Sequence, residues 1–294
     1  MSAPASVLRF GHEAMSTAFS VAVAGLDEDE ARQAAAAVFR EVDRIERILS
    51  RFDPGSDIGR INRLRPGQSL RIGVETVECL RTAEEVHRET GGAFDVRFRS
   101  AAMLGWEIVA AAGGFEIRFG AGAAWGDDPP PPPVDIDPGG IGKGYALEKA
   151  AAVLSEWEVE RALLDAGTST VLAVGPGPFG ESNGWPAGVG GPWAGRGVPG
   201  TVLLRDMALS GSGTEVKGAH VFDPRTGAPA GGHIAAWAAH RSAAVADALS
   251  TAFMAMTTAE VEAFCARRPD VWALVVADGG RASVFNGEIL SEVR

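Results

Sequence analysis

The sequence predicts an α+β fold. Helix-period and strand-period stretches occur along the whole chain, yet they do not alternate strictly as βαβ units, which disfavours a doubly wound sheet. Hydrophobic residues make up 46% of the 294 and charged residues 22%, a globular balance. That length can bury a large core as one big domain or two lobes, and no internal repeat divides it.

Thr17–Ala24 alternates, with Phe19, Val21 and Val23 on one face, and reads as a strand. Asp27 and Glu28 open a helix whose apolar positions, Ala31, Ala35, Val38, Val42, Ile45 and Leu49, recur in steps of four and three. Arg51–Arg63 reads as a loop around the Pro54-Gly55 turn. Val74, Val77 and Leu80 start a second helix that runs to about Glu89, before Gly91-Gly92. Within Trp106–Phe119 only Phe115, Ile117 and Phe119 suggest a short strand. Five consecutive prolines in Asp127–Pro133 exclude a helix or central strand and read as a stiff surface connector.

Asp137–Lys149 follows, Asp-Pro-Gly-Gly-Ile-Gly-Lys-Gly-Tyr-Ala-Leu-Glu-Lys, with Asp137 and Lys143 placing opposite charges in a glycine-rich loop. Glycines let a ligand approach the backbone closely, and a helix start offers free N–H groups to a phosphate. A phosphate cradle and a plain tight turn both fit. The spacing is not a Walker loop, which needs Gly at 137 and Ser or Thr at 144. Leu147, Ala150, Leu154 and Trp157 continue the helix.

Ala162–Asp165 and Val171–Val174 read as strands around the turn Ala166–Ser169. Pro176–Gly200 reads as long loops with a short strand near Val189. Val202–Leu209 is a strand leading into a Ser-Gly-Ser-Gly loop at 210–213, and His220–Gly227 is a polar turn. Ile234–Ala239 is a strand, Ala243–Met256 a helix, and Thr257 with Glu260 the capping box of another helix. Val271–Val276 and Ala282–Phe285 are the last strands.

A net charge of −11 argues against a nucleic-acid partner, since phosphate backbones need a basic face. Cys79 and Cys265 form no CxxC, so reduced thiols and no zinc site are expected. Met1–Phe10 lacks the apolar run of a signal peptide, and no stretch of about 18 apolar residues suggests a membrane span. The expected setting is cytoplasmic.

Asp247 and Thr251 are four apart on a predicted helix and share a face. A carboxylate beside a hydroxyl suits a hard cation such as Mg²⁺. A solvated Asp beside a helix Thr is the plainer alternative. His220 and Asp223 sit three apart in a turn, either as a proton shuttle or as a turn closed by the Asp side chain. Ser210 and Ser212 either donate to an anion or make a turn, and no G-x-S-x-G elbow accompanies them. His12, His87, His233 and His240 have no motif around them and read as structural or exposed.

Taken in order, these blocks give the chain a resemblance to the ApbE-type FAD:protein FMN transferases over nearly its whole length. The matching blocks are Met15-Ser-Thr17, Leu49–Ser56 with Arg60-Ile-Asn62, Thr90–Asp95, Asp137–Ala146, Asp165-Ala-Gly167, His220–Gly227 and Ala246–Ala252. The resemblance implies one α+β domain over 1–294, a two-lobed, T-fold-related architecture with mixed sheets flanked by helices and the FAD site between the lobes. It also implies a reaction. With Mg²⁺ on the FAD diphosphate, a Thr or Ser hydroxyl of an acceptor flavoprotein attacks the FMN-side phosphorus and AMP leaves.

By that resemblance Gly140, Asp247 and Thr251 ligate Mg²⁺, Gly140 through its carbonyl oxygen. Met15, Phe52, Ala93, Phe94, Asp95, Asp137, Lys143 and Val221 line the FAD site, and His220 is the base. The chain departs from the family pattern at Asp165–Ser169, at Ser210–Gly213 and at Val96-Arg97. Those departures keep two other functions in view, an Mg²⁺-dependent FAD pyrophosphatase and a non-catalytic FAD-binding or delivery protein.

Overall fold

The structure, a computed structural model, describes residues 6–65, 67–97, 105–120, 135–178, 184–190, 200–214 and 221–292. His220, the prolines at 129–133 and most of 176–200 lie outside them. Eight strands form the main sheet: β1 (Val7–Ala14), β2 (Thr17–Ala24), β6 (Ala162–Ala166), β7 (Thr170–Val174), β10 (Met207–Gly213), β11 (Ala235–His240), β12 (Trp272–Val276) and β13 (Ala282–Phe285). They stand in that spatial order. Among the described residues every strand pairing is antiparallel. The predicted α+β class holds, but the sheets expected to be mixed are antiparallel. Short turns such as those after Ala14 and Ala166 join neighbouring strands directly, where parallel strands would need long crossovers.

One face of the sheet carries the helices α1 (Glu28–Leu49), α3 (Val74–Glu89), α4 (Gly142–Glu156), α5 (Ala243–Ala255) and α6 (Thr258–Arg267). The period of α1 explains its packing, because Ala31, Ala35, Val38, Val42, Ile45 and Leu49 are all buried. Asp27 and Glu30 close a capping box at its start. The opposite face buries Leu163, Leu209, Trp272 and Leu274 with Trp185, Val202 and Leu204. Trp185 belongs to β8 (Trp185–Gly188) and the other two to β9 (Thr201–Leu204), which with β14 (Ser291–Glu292) form a three-stranded sheet. A second small sheet holds β3 (Ser69–Ile72), β4 (Trp106–Ala111) and β5 (Gly114–Phe119).

Several expectations need correction. The 51–63 loop contains a short helix, α2 (Asp57–Ile61), capped by the Ser56 hydroxyl on the Gly59 N–H. β1, β3 and β4 had no sequence reading. The stretch read as one strand over Val202–Leu209 is two strands in different sheets, turning at Asp206 with φ +49°. Ser210–Gly213 is therefore the second half of β10, not a loop, and pairs with β11 from Ser210↔Ala238 to Gly213↔Ala235. The capping box of Thr257 and Glu260 opens α6 as expected.

The isolated histidines make structural contacts. His233 is 3% exposed, donates from Nδ1 to the Phe253 carbonyl at 2.6 Å, and accepts at Nε2 from the Thr258 hydroxyl at 3.0 Å. Burial pushes its pKa below the ordinary 6.5. The unfolded chain therefore takes up this proton as pH falls through 6.5, while the folded chain resists it, and stability is lost on that side. Melting temperature is expected to fall between pH 7.5 and 5.5 more steeply for the parent than for His233→Gln. Equal slopes in thermal melts would rule out this linkage.

Candidate functional site

Four chain segments enclose a cavity of about 500 Å³. They are the β1–β2 hairpin tip at 15–17, the end of α1 through Phe52, the turn from Asp137 into α4, and the β6–β7 turn at 166–169. The tip is a two-residue turn with left-handed backbone at both Met15, φ +49°, and Ser16, φ +59°. Two non-glycine residues in that region are strained, and such strain persists where the surroundings hold it. Here Glu46 of α1 holds it, accepting the Met15 N–H at 3.0 Å.

The glycine loop turns out to be more helical than expected. Pro138–Gly140 is one turn of 3₁₀ helix, capped by the Asp137 side chain on the Gly139 N–H at 2.9 Å. α4 then starts at Gly142, so Lys143 and Gly144 lie in its first turn rather than in a loop. A helix start is an unfavourable place for a cation. Lys143 is held there by the Gly139 carbonyl at 3.0 Å and lies 3.9 Å from Asp247. Arg51 pairs with Asp137 at 3.3 Å and lays its guanidinium 4.3 Å from the centre of the Phe52 ring. Phe52 is 79% exposed, a large apolar face at the cavity wall.

Asp247 and Thr251 lie one turn apart on α5 and meet the start of α4. Asp247 is buried and accepts the Gly144 N–H at 3.1 Å. A Cβ added at Gly140 would lie 3.1 Å from the Thr251 hydroxyl and 3.2 Å from the Phe94 ring. Gly140, Asp247 and Thr251 are thus brought together; none of the three lines the cavity, while Lys143, 3.9 Å from Asp247, does. Their donors are all oxygens, the set a hard cation takes. Among the described residues no group of three or more His, Cys, Asp or Glu is placed to hold a metal. Nearby, the buried Cys79 thiol is pushed up to about 12 by burial and by the charges of Glu148 and Asp247.

Of the residues expected around FAD, Met15, Phe52, Asp137 and Lys143 line the cavity. Ala93, Phe94, Asp95 and Val221 do not. Ala93 and Phe94 are buried, and Asp95 is clamped by Arg97 at 2.9 and 3.0 Å with His87 at 3.4 Å. Val221 is partly buried against the core, and its carbonyl accepts the Ala230 N–H. In the turn after it, Asp223 accepts the Arg225 N–H and pairs with the Arg225 guanidinium, which holds its carboxyl below the usual range. The turn-closing alternative describes Asp223.

The family model for the ApbE family matches residues 15–275. The chain belongs to the ApbE family. No curated protein sequence matches it. Solved structures of ApbE proteins share its fold. The apo flavinyl transferase ApbE of Pseudomonas stutzeri is 19% identical, with a TM-score of 0.75 and 97% of each chain covered. The flavin transferase ApbE of Vibrio cholerae is 17% identical with a TM-score of 0.78, covering 98% of this chain and 100% of its own. The ApbE protein of Thermotoga maritima is 23% identical with a TM-score of 0.77, covering 97% and 98%.

The ApbE motif blocks did not single out every wall of the cavity. Glu46, Thr168 and Ser169 also line it from outside those blocks, and Arg51 lines it from within the Leu49–Ser56 block, where it had no expected role. For Glu46 a signal was present in the sequence. It sits in the last turn of α1, where the carbonyl end of a helix disfavours a carboxylate. Thr168 and Ser169 fall in the departure at 165–169, so their chemistry had no motif to read.

Proposed function

We propose that this ApbE-family protein transfers the FMN moiety of FAD to a Thr or Ser hydroxyl of an acceptor flavoprotein, with Mg²⁺ as cofactor and AMP as the second product. The observation that carries the reading is the meeting of the α4 start with Asp247 and Thr251 beside a cavity whose wall holds Lys143, Arg51 and an exposed Phe52. Family membership supports it as well.

Gly140, Asp247 and Thr251 would hold the ion, which when bound neutralises diphosphate charge. Lys143 adds a point charge toward a phosphate, and Phe52 offers its ring face to a flat ligand ring. His220 takes the proton of the acceptor hydroxyl. The hydroxyl oxygen bonds to the FMN-side phosphorus, the bond from that phosphorus to the bridging oxygen breaks, and AMP leaves with that oxygen. The chain's work is mainly positioning and charge neutralisation, as in other phosphoryl transfers.

The test is incubation with FAD, Mg²⁺ and acceptor segments carrying Asp three positions before Thr or Ser. Flavin fluorescence that survives denaturation on the acceptor, with one AMP per flavin and loss on chelation, is the expected result. FMN and AMP released without an acceptor would make the protein a pyrophosphatase. Tight FAD binding with no turnover, unchanged by His220→Ala, would make it a binding or delivery protein.

A further inference from the structure

A buried carboxylate needs partners for its oxygens. Asp247 is 2% exposed and has them from two directions. The Gly144 N–H reaches Oδ2 at 3.1 Å, and the Ser210 hydroxyl reaches Oδ1 at 3.3 Å. Ser210 is fully buried on β10 under α5. Around its hydroxyl stand Thr170 Oγ1 at 2.9 Å, the Ser169 carbonyl at 3.0 Å, Ser250 Oγ at 3.2 Å and Asp247 Oδ1.

One hydroxyl has one hydrogen to give and two lone pairs to fill. Thr170, itself 1% exposed, shares one hydrogen bond with Ser210, and it is the donor in that bond when Ser210 gives its own hydrogen to another acceptor. Ser250 donates to the Asp247 carbonyl at 3.0 Å and receives from Ser212 at 2.9 Å. The Ser169 carbonyl already takes the Gly211 N–H at 2.8 Å. That carbonyl keeps a second lone pair, so the Ser210 hydrogen faces two acceptors, the Ser169 carbonyl at 3.0 Å and the Asp247 carboxylate at 3.3 Å, and the ionised carboxylate is the stronger of the two. Two hydroxyl chains thus converge on one residue. Thr170 and Ser210 end on the Asp247 carboxylate, and Ser212 and Ser250 end on its carbonyl.

We infer that Ser210, supported by Thr170, is a positioning residue. It fixes the Asp247 carboxylate in the orientation used to hold a divalent cation with Gly140 and Thr251. The inference rests on the metal reading above. Groups that orient a metal ligand in this way change metal affinity by about 10–100-fold when removed.

The test uses Mn²⁺ as the probe, titrated into protein with FAD and no acceptor, with free Mn²⁺ read by EPR. Ser210→Ala is expected to weaken Mn²⁺ by about 10–100-fold and to shrink the Mn²⁺-induced rise in melting temperature. Ser210→Cys, close in size but a weak donor, is expected to act in the same direction. Thr170→Val is expected to weaken Mn²⁺ less, because Ser210 keeps its own hydrogen for Asp247. A lower melting point of the metal-free protein with parental Mn²⁺ affinity in both Ser210 variants would overturn the inference. If Asp247→Ala loses Mn²⁺ in the same experiment, the metal site stands without it. If Asp247→Ala also binds Mn²⁺ like the parent, the metal reading falls and this inference falls with it.

Discussion

Asp247→Ala is expected to lower metal-dependent turnover by about 10³-fold while the protein stays folded. The size follows from losing the one carboxylate in the proposed donor set. Charge stabilisation of several kcal/mol at a transferring phosphorus corresponds to about three powers of ten in rate. The fold should survive because two effects oppose each other. The Gly144 N–H loses its acceptor, at a cost of about 1–3 kcal/mol, but a nearly fully buried charge is also removed. Turnover measured as AMP release, beside a thermal melt of the metal-free protein, separates the two. Retained activity in this variant would remove Asp247 from the metal site. An unfolded variant would show that its bonds to Gly144 and Ser210 are structural first.

Elements with one periodic face were legible. α1 shows its stripe because one side packs and the other is wet. β1 was not legible although it alternates, with Leu8, Phe10, His12 and Ala14 facing inward and Val7, Arg9, Gly11 and Glu13 outward. On this edge strand the inward face is only half-buried and includes His12, while the outward face includes Val7, which blurs the apolar–polar contrast. Ser210–Gly213 misled for the opposite reason. Serine and glycine have low strand propensity, yet here small residues are what the packing demands. A Cβ at Gly211 would lie 2.7 Å from the Trp237 indole nitrogen, on the residue directly across the ladder. Ser210 and Ser212 face α5 with their hydroxyls. The composition that reads as a loop belongs to a strand pressed between a tryptophan and a helix.

The candidate site was legible as separate blocks and illegible as a site. Asp247 stands out inside an apolar helix, since α5 buries eleven of its thirteen residues and this is its one charge. What it touches depends on where α4 lies, and no local pattern carries that. Lys143 and Gly144 looked like loop residues because glycine is a poor helix former. Their place in the first turn of α4 is set by a long-range contact, the approach of α4 to α5.

That approach can be tested at Gly144 itself. Gly144→Ala is expected to destabilise the fold by about 3 kcal/mol or more, a melting temperature lower by roughly 6–10 °C. Helix propensity alone gives the opposite sign, since Ala is better than Gly inside a helix by about 1 kcal/mol. The added Cβ would lie 2.1 Å from the Ala243 carbonyl oxygen, 2.6 Å from its carbon and 2.9 Å from the Ala244 nitrogen. All three are backbone atoms at the start of α5, so no side chain can rotate away, and the two helices must separate. Separation also draws the Gly144 N–H away from Asp247, so Mn²⁺ affinity should fall with stability. Gly142→Ala is the stability control. It adds a Cβ to the same turn, where the nearest atom is the Pro138 Cβ at 3.9 Å, an ordinary contact. Its melting temperature is expected to match or exceed the parent's. Equal melts for the two variants would mean that α4 and α5 are free to move apart. The oxygen cluster around Asp247 would then not be held by their contact.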